Sequence, residues 1–197
     1  LIMDGYGFQK GFFEFPKNRN QIYIPKFKFP YFHKAYAQGL GRCLGFYLAD
    51  QPSKINSYLQ RIQGAEASDL WSGAGSAIAF LGALTPEQFD EWCNANSEYR
   101  QFIAVGLALA CRLQTQCGWH YQTTDSYCKM LWGISAQEIT TRVLNLQAHL
   151  EATQMPDQSL YDEYTDYENL RDLMKEEFVA GTYLQKFQSS SADASSG

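Results

Sequence analysis

The sequence predicts an all-α fold of repeated helix hairpins, an αα-barrel or part of one, entered through an irregular aromatic-rich arm. Three observations carry that expectation. Apolar residues recur at helical spacing from Phe32 onward. Small-residue runs recur at a fixed interval: Gly39-Leu40-Gly41 is followed by Phe46, Gly73-Ala74-Gly75 by Phe80 at an offset of 34, and Gly106-Leu107-Ala108 lies a further 33 on. Two segments, Thr85-Pro86-Glu87-Gln88 and Ser135-Ala136-Gln137-Glu138, have the form of a capping box, in which a hydroxyl and a side chain three residues later satisfy the first free N–H groups of a helix. The recurrence marks stacked helix pairs, whose small residues let an inner set of helices approach closely. A tetratricopeptide-like solenoid has nearly the same period. Its Trp-Leu-Gly-Tyr signature is not in register here, which favours the barrel.

Residues 1–32 read as an irregular arm. Gly5, Gly7 and Gly11 interrupt its start, Pro16, Pro25 and Pro30 punctuate the rest, and Ile22 to Phe29 alternates like a short edge strand. The helical-hairpin domain spans 33–187. Its first helix places Tyr36, Leu40, Leu44 and Leu48 on one face, and the next carries Ile55, Tyr58, Leu59 and Ile62. A third runs from Asp69 to about Gly82, and the one after Thr85 turns Phe89, Trp92 and Cys93 inward. Helices over 100–114 and 123–132 follow, with Gly118 between them. The helix after Ser135 carries Ile139, Val143, Leu146 and Leu150. The last, from Ser159 to Phe187, has the stripe Leu160, Tyr164, Tyr167, Leu170, Met174 and Phe178. Residues 188–197 are Ser/Ala-rich and read as a disordered tail. The opening on Leu1 inside an apolar stretch reads as a chain whose true N-terminus lies further upstream.

With 45% hydrophobic and 19% charged residues in 197, the chain is globular and long enough for a sizeable core. Aromatics at 15% exceed what packing requires and suggest a ring-lined cavity. No apolar run reaches the roughly 20 residues of a membrane span. The scattered, odd set Cys43, Cys93, Cys111, Cys117 and Cys128 fits free thiols in a cytoplasmic protein. Residues 1–42 hold seven Lys/Arg against two Asp/Glu, and residues 151–181 nine acids against two bases. Solvated faces account for both. A basic rim that attracts an anionic headgroup, carboxylate or carrier is the functional alternative, and peripheral membrane contact is allowed. An acidic total without a recognition motif argues against nucleic acid.

Candidate chemistry gathers at three short runs. In Asp4-Gly5-Tyr6-Gly7-Phe8 a carboxylate sits among glycines and rings. In an apolar pocket desolvation would raise its pKa and make it a general acid; in a turn it would merely cap. Asp69-Leu70-Trp71-Ser72-Gly73 offers a second carboxylate, which also reads as an N-cap, and Trp71 faces a cavity or the core. Arg42, in Gln38-Gly39-Leu40-Gly41-Arg42, lies on an apolar helix. If buried it needs a carboxylate, Asp4 or Asp69, or a substrate anion. A Cys₃His metal set from Cys111, Cys117, His120 and Cys128 lacks a paired knuckle, so no metal or cofactor is expected. Asp162, Glu163, Asp166 and Glu168 read as a solvated face before a Mg²⁺ site. His33, His120 and His149 are isolated, and no phosphate loop, nucleophile elbow or Rossmann fingerprint is present.

These three runs, in this order, resemble the hallmark motifs of a bacterial protein family of obscure function, often encoded in enediyne polyketide gene clusters and also found in cyanobacteria. The resemblance is good over about residues 1–82. It departs at Gln9, where a His is common, and at Ala37, where an acid is common. It implies natural-product biosynthesis. A helical barrel with aromatic walls and a lone Asp is also similar, at the level of fold, to single-domain class II terpene cyclases. That similarity implies metal-independent, acid-initiated cyclisation of a large apolar substrate. Asp4 would be the proton donor and Asp69 its alternative, with Tyr6, Phe8, Arg42, Phe46, Trp71 and Phe80 around the substrate. A non-catalytic helical scaffold holding a polyene, a polyketide intermediate or a partner protein is the competing expectation.

Overall fold

A computed structural model describes residues 2–15, 22–63, 67–120, 122–153 and 162–179. These are almost wholly helical: α1 Ile2–Glu14, α2 Pro30–Tyr47, α3 Pro52–Leu59, α4 Ala67–Leu81, α5 Pro86–Ala95, α6 Arg100–Gln116, α7 Gln122–Trp132, α8 Ala136–Thr153 and α9 Asp162–Val179. A 3₁₀ turn, Ser97–Tyr99, leads into α6. Two short strands, β1 Ile22–Tyr23 and β2 Ile62–Gln63, pair in parallel with Ile22 opposite Ile62. The fold is all-α, as the periodicity predicts.

The recurring small residues set the architecture. Helices α1, α2, α4 and α6 pack side by side in that order. At each crossing a glycine of one helix lies on the backbone of the next. A Cβ added to Gly39 would fall 1.9 Å from the Asp4 carbonyl oxygen, one on Gly73 2.0 Å from that of Gln38, and one on Gly106 2.2 Å from that of Ser72. No side chain fits those gaps. The four helices run parallel. Asp4 meets Arg42 while Phe15 meets Tyr47, and Ser76 lies by Gly106 while the Phe80 carbonyl accepts from the Gln114 side chain. Helices α3 and α5 return the chain along one face of this row.

That face holds the apolar core. Leu40, Leu44, Ile78 and Leu107 are fully or almost fully buried in it. Trp71 stacks on Tyr99 with ring centroids 4.6 Å apart, and Phe89 on Tyr127 at 4.1 Å. The Thr85 box forms in full, with the Gln88 N–H donating to the Thr85 hydroxyl and the Gln88 side chain accepting from the Thr85 N–H. The Ser135 box forms by half: its hydroxyl accepts from the Glu138 N–H, but the Glu138 carboxylate turns to Arg142. At Gly118, φ of +70° ends α6 as a residue without Cβ allows.

Several expectations are corrected. Residues 2–14 are helix, not an irregular arm, because Gly7 and Gly11 face α2 and allow a contact no larger residue would permit. That packing outweighs a helix propensity cost of about 1 kcal/mol per glycine. The expected edge strand over 22–29 shrinks to Ile22–Tyr23, and Ile62 belongs to its partner strand instead of α3. Asp69 does not cap α4: it is the third residue of that helix. Glu168 is buried, so the acidic run is not wholly a solvated face. Leu160 and the expected tail lie outside the described residues.

Candidate functional site

On the face opposite α3 and α5, the parallel helices present polar and aromatic residues one turn apart. Asp4 and Phe8 come from α1, Gln38, Arg42 and Phe46 from α2, and Ser76 and Phe80 from α4. The i, i+4 spacing puts each set on one stripe. Together with Leu109, Arg112 and Leu113 of α6, Gln147 and Leu150 of α8, and Leu170 of α9, they enclose a cavity of about 810 Å³. That volume lies at the upper end of the range for small-molecule pockets.

One side of this cavity is a series of rings. Phe8 meets Phe46 edge-on at 5.7 Å, Phe46 meets Phe80 at 6.3 Å, and Phe80 meets the exposed Trp119 at 5.5 Å. Arg42 lies 5.4 Å over the face of Phe8. One turn nearer the helix starts, the Arg42 guanidinium contacts Asp4 Oδ2 at 3.0 Å. The other Asp4 oxygen, Oδ1, is buried without a hydrogen-bond partner. Only 2% of Asp4 is exposed, and this burial raises its carboxyl pKa from the ordinary value, outweighing the opposite pull of Arg42.

A second carboxylate network lies beyond the cavity wall. Asp69 Oδ1 accepts a hydrogen bond of 2.6 Å from Arg171 of α9, and Arg171 also donates to Glu168 at 3.0 Å. Glu168 in turn faces Lys34 of α2 at 3.3 Å. Arg171 is completely buried. The α9 helix thus lies across the early turns of α2 and α4, fastened to each by an ion pair. At its far end the Trp132 indole N–H of α7 donates to the Phe178 carbonyl.

Asp4, Phe8, Arg42, Phe46 and Phe80, all singled out in the sequence, thus converge on one cavity. The structure supplies Asp4 as the partner Arg42 needed. Asp69, Tyr6 and Trp71 are not in the wall. Asp69 is sealed against Arg171, Tyr6 sits edge-on to Tyr36 at 5.5 Å and is partly exposed, and Trp71 is in the core. Helical geometry explains the last two: Tyr6 lies about 200° around α1 from Asp4, and Trp71 about 140° around α4 from Ser76. Sequence reading missed Arg171, Arg112 and Gln147. Arg171 offered a signal, a base on the buried stripe between Leu170 and Met174. Among the described residues no group of three or more His, Cys, Asp or Glu is arranged to hold a metal ion, and Cys117 is exposed while the Cys111 and Cys128 sulfurs lie together at 3.3 Å. No described helix is long and apolar enough to cross a membrane.

The family described as "Protein of unknown function (DUF1702)" matches residues 1–178. The chain belongs to the DUF1702 family. No curated protein and no solved structure matches it. The match covers every helix that builds the cavity of this DUF1702 chain, from Asp4 on α1 to Leu170 on α9.

Proposed function

We propose that this DUF1702 protein is a biosynthetic enzyme that binds a large apolar substrate in the α1–α9 cavity and initiates its cyclisation by proton transfer from Asp4. The observation that carries the reading is a buried carboxyl of raised pKa at the wall of a ring-lined cavity. In this reading the row α1–α2–α4–α6 is the wall of an αα-barrel, and the reaction belongs to natural-product assembly of the kind found in enediyne clusters and in cyanobacteria, carried out in the cytoplasm.

The chemistry needs a neutral carboxylic acid, and desolvation favours that form. The Asp4 proton adds to one carbon of an alkene, whose π electrons form the new C–H bond and leave a cation on the neighbouring carbon. A second alkene of the same substrate closes the ring by attacking that cation. Loss of a proton to water ends the sequence, and the Asp4 carboxylate regains a proton from solvent. Phe8, Phe46 and Phe80 offer ring faces and edges near the intermediate, and a cation near a ring face is stabilised by about 0.5–2 kcal/mol.

The test is incubation with an all-trans geranylgeranyl substrate in D₂O with EDTA. Deuterium should enter the product at the initiating carbon. Asp4→Asn should cut turnover by roughly 10²–10⁴-fold, the usual range for a general acid, with an unchanged circular dichroism spectrum. Undiminished turnover in Asp4→Asn would remove Asp4 from the mechanism.

One observation favours a second reading, a non-catalytic carrier of a polyene or polyketide intermediate: the carboxylate Asp4 is itself paired with Arg42. A carrier would bind the same molecules equally well before and after Asp4→Asn and release them unchanged.

A further inference from the structure

The cavity holds two arginines, and only one has a carboxyl partner. Arg42 has Asp4. Arg112 of α6 lines the same space with no ion pair among the described residues, and its Nε is buried without a hydrogen-bond partner. A buried unsatisfied donor costs about 1–3 kcal/mol, and more when charged. Such a group calls for a partner, and a ligand in the cavity is one that can supply it. Gln147, on the adjoining helix α8, lines the same wall. Its side-chain N–H donates to Glu151 at 2.8 Å, which fixes the amide orientation and leaves Oε1 buried and unpartnered.

We infer that Arg112 is the headgroup site of this cavity and that the ligand is an apolar chain ending in a single carboxylate. This rests on the cavity's being the substrate site. A guanidinium presents a planar fork that matches one carboxylate. A diphosphate suits the surroundings poorly. It brings two or three negative charges where a carboxylate brings one, and Glu151 stands at the same wall. Against Arg112 alone, such a head would remain uncompensated. The arrangement also sets the ligand's direction. Arg112 is on α6 and Asp4 on α1, three helix spacings apart along the row at roughly 8–10 Å each. A chain anchored by its carboxylate at Arg112 crosses Phe80, Phe46 and Phe8 and brings its far end, not its head, to Asp4.

Isothermal titration with palmitate, its methyl ester and farnesyl diphosphate tests the assignment on the full chain. Palmitate should bind the parent protein, and Arg112→Gln should weaken it by at least tenfold, with Arg112→Lys intermediate. The ester should bind both proteins alike. Equal palmitate binding by the parent and Arg112→Gln overturns the headgroup site, as does farnesyl diphosphate binding more tightly than palmitate in an Arg112-dependent way. If the ester binds but the acid gains nothing from Arg112, this inference alone falls. If neither binds, the cavity reading falls with it. A circular dichroism melt of Arg112→Gln separates lost binding from lost folding.

Discussion

Two carboxylates, Asp4 and Asp69, occupy the third positions of two parallel helices, and each faces an arginine, yet their surroundings differ. Asp69 is sealed with Arg171, which has no exposed surface and a second carboxylate beside it. Asp4 meets Arg42 at a cavity wall, and 31% of the Arg42 side chain remains exposed. The first pair fastens α9 across the row. The second keeps a titratable group beside open space. Similar local motifs thus serve a structural joint in one place and a candidate reactive group in the other, and the difference lies in what packs above them.

The largest effect that could break this comparison is at Arg171. Arg171→Met should cost about 3–5 kcal/mol in urea denaturation, because it removes the fully buried cation that Asp69 and Glu168 share. Arg42→Met should cost well under half of that, since solvent reaches its guanidinium and screens the pair. Equal losses would make both pairs structural. Next comes the helix contact beneath Asp4. Gly39→Ala drives a methyl onto the Asp4 backbone and should destabilise by about 1–3 kcal/mol, as overpacking does. Gly5→Ala meets nothing within 4 Å and should be neutral or stabilising by about 0.5–1 kcal/mol.

The smallest effect is in pH dependence. The folded-state pKa of Asp4 is raised above its ordinary 3.8. The folded protein therefore holds that proton more tightly than the unfolded chain. The contribution to stability is complete below pH 3.8 and declines as pH rises through the folded value. Asp4→Asn should flatten this decline, so its stability relative to the parent improves from pH 4 upward. Parallel stability curves for the two proteins would mean that burial does not govern Asp4.

Much of this arrangement was legible because it rests on short-range pattern. The recurrence of Gly39, Gly73 and Gly106 corresponds to the close contacts between inner helices, and Thr85 and Gln88 to a complete cap. The unread parts depend on tertiary partners. Three glycines in ten residues argue against helix until α2 is there to receive them. Glu168 reads as a member of a solvated acidic face, since nothing local shows that α9 lies over Asp69. Tyr6 and Trp71 shared a motif with their neighbouring acids but not a helix face.

The parallel course of the inner helices has an electrical consequence. Each helix carries a macrodipole equivalent to roughly half a positive charge at its start and half a negative charge at its end. In antiparallel bundles these cancel; here those of α1, α2, α4 and α6 add. Asp4 and Asp69 sit toward the positive pole, in the first turns, while Phe46 and Phe80 are each one residue from their helix ends, at the negative pole. A positive charge created beside Asp4 would therefore find the potential falling toward the aromatic end, so the backbone itself gives the cavity a polarity along which cationic chemistry can run.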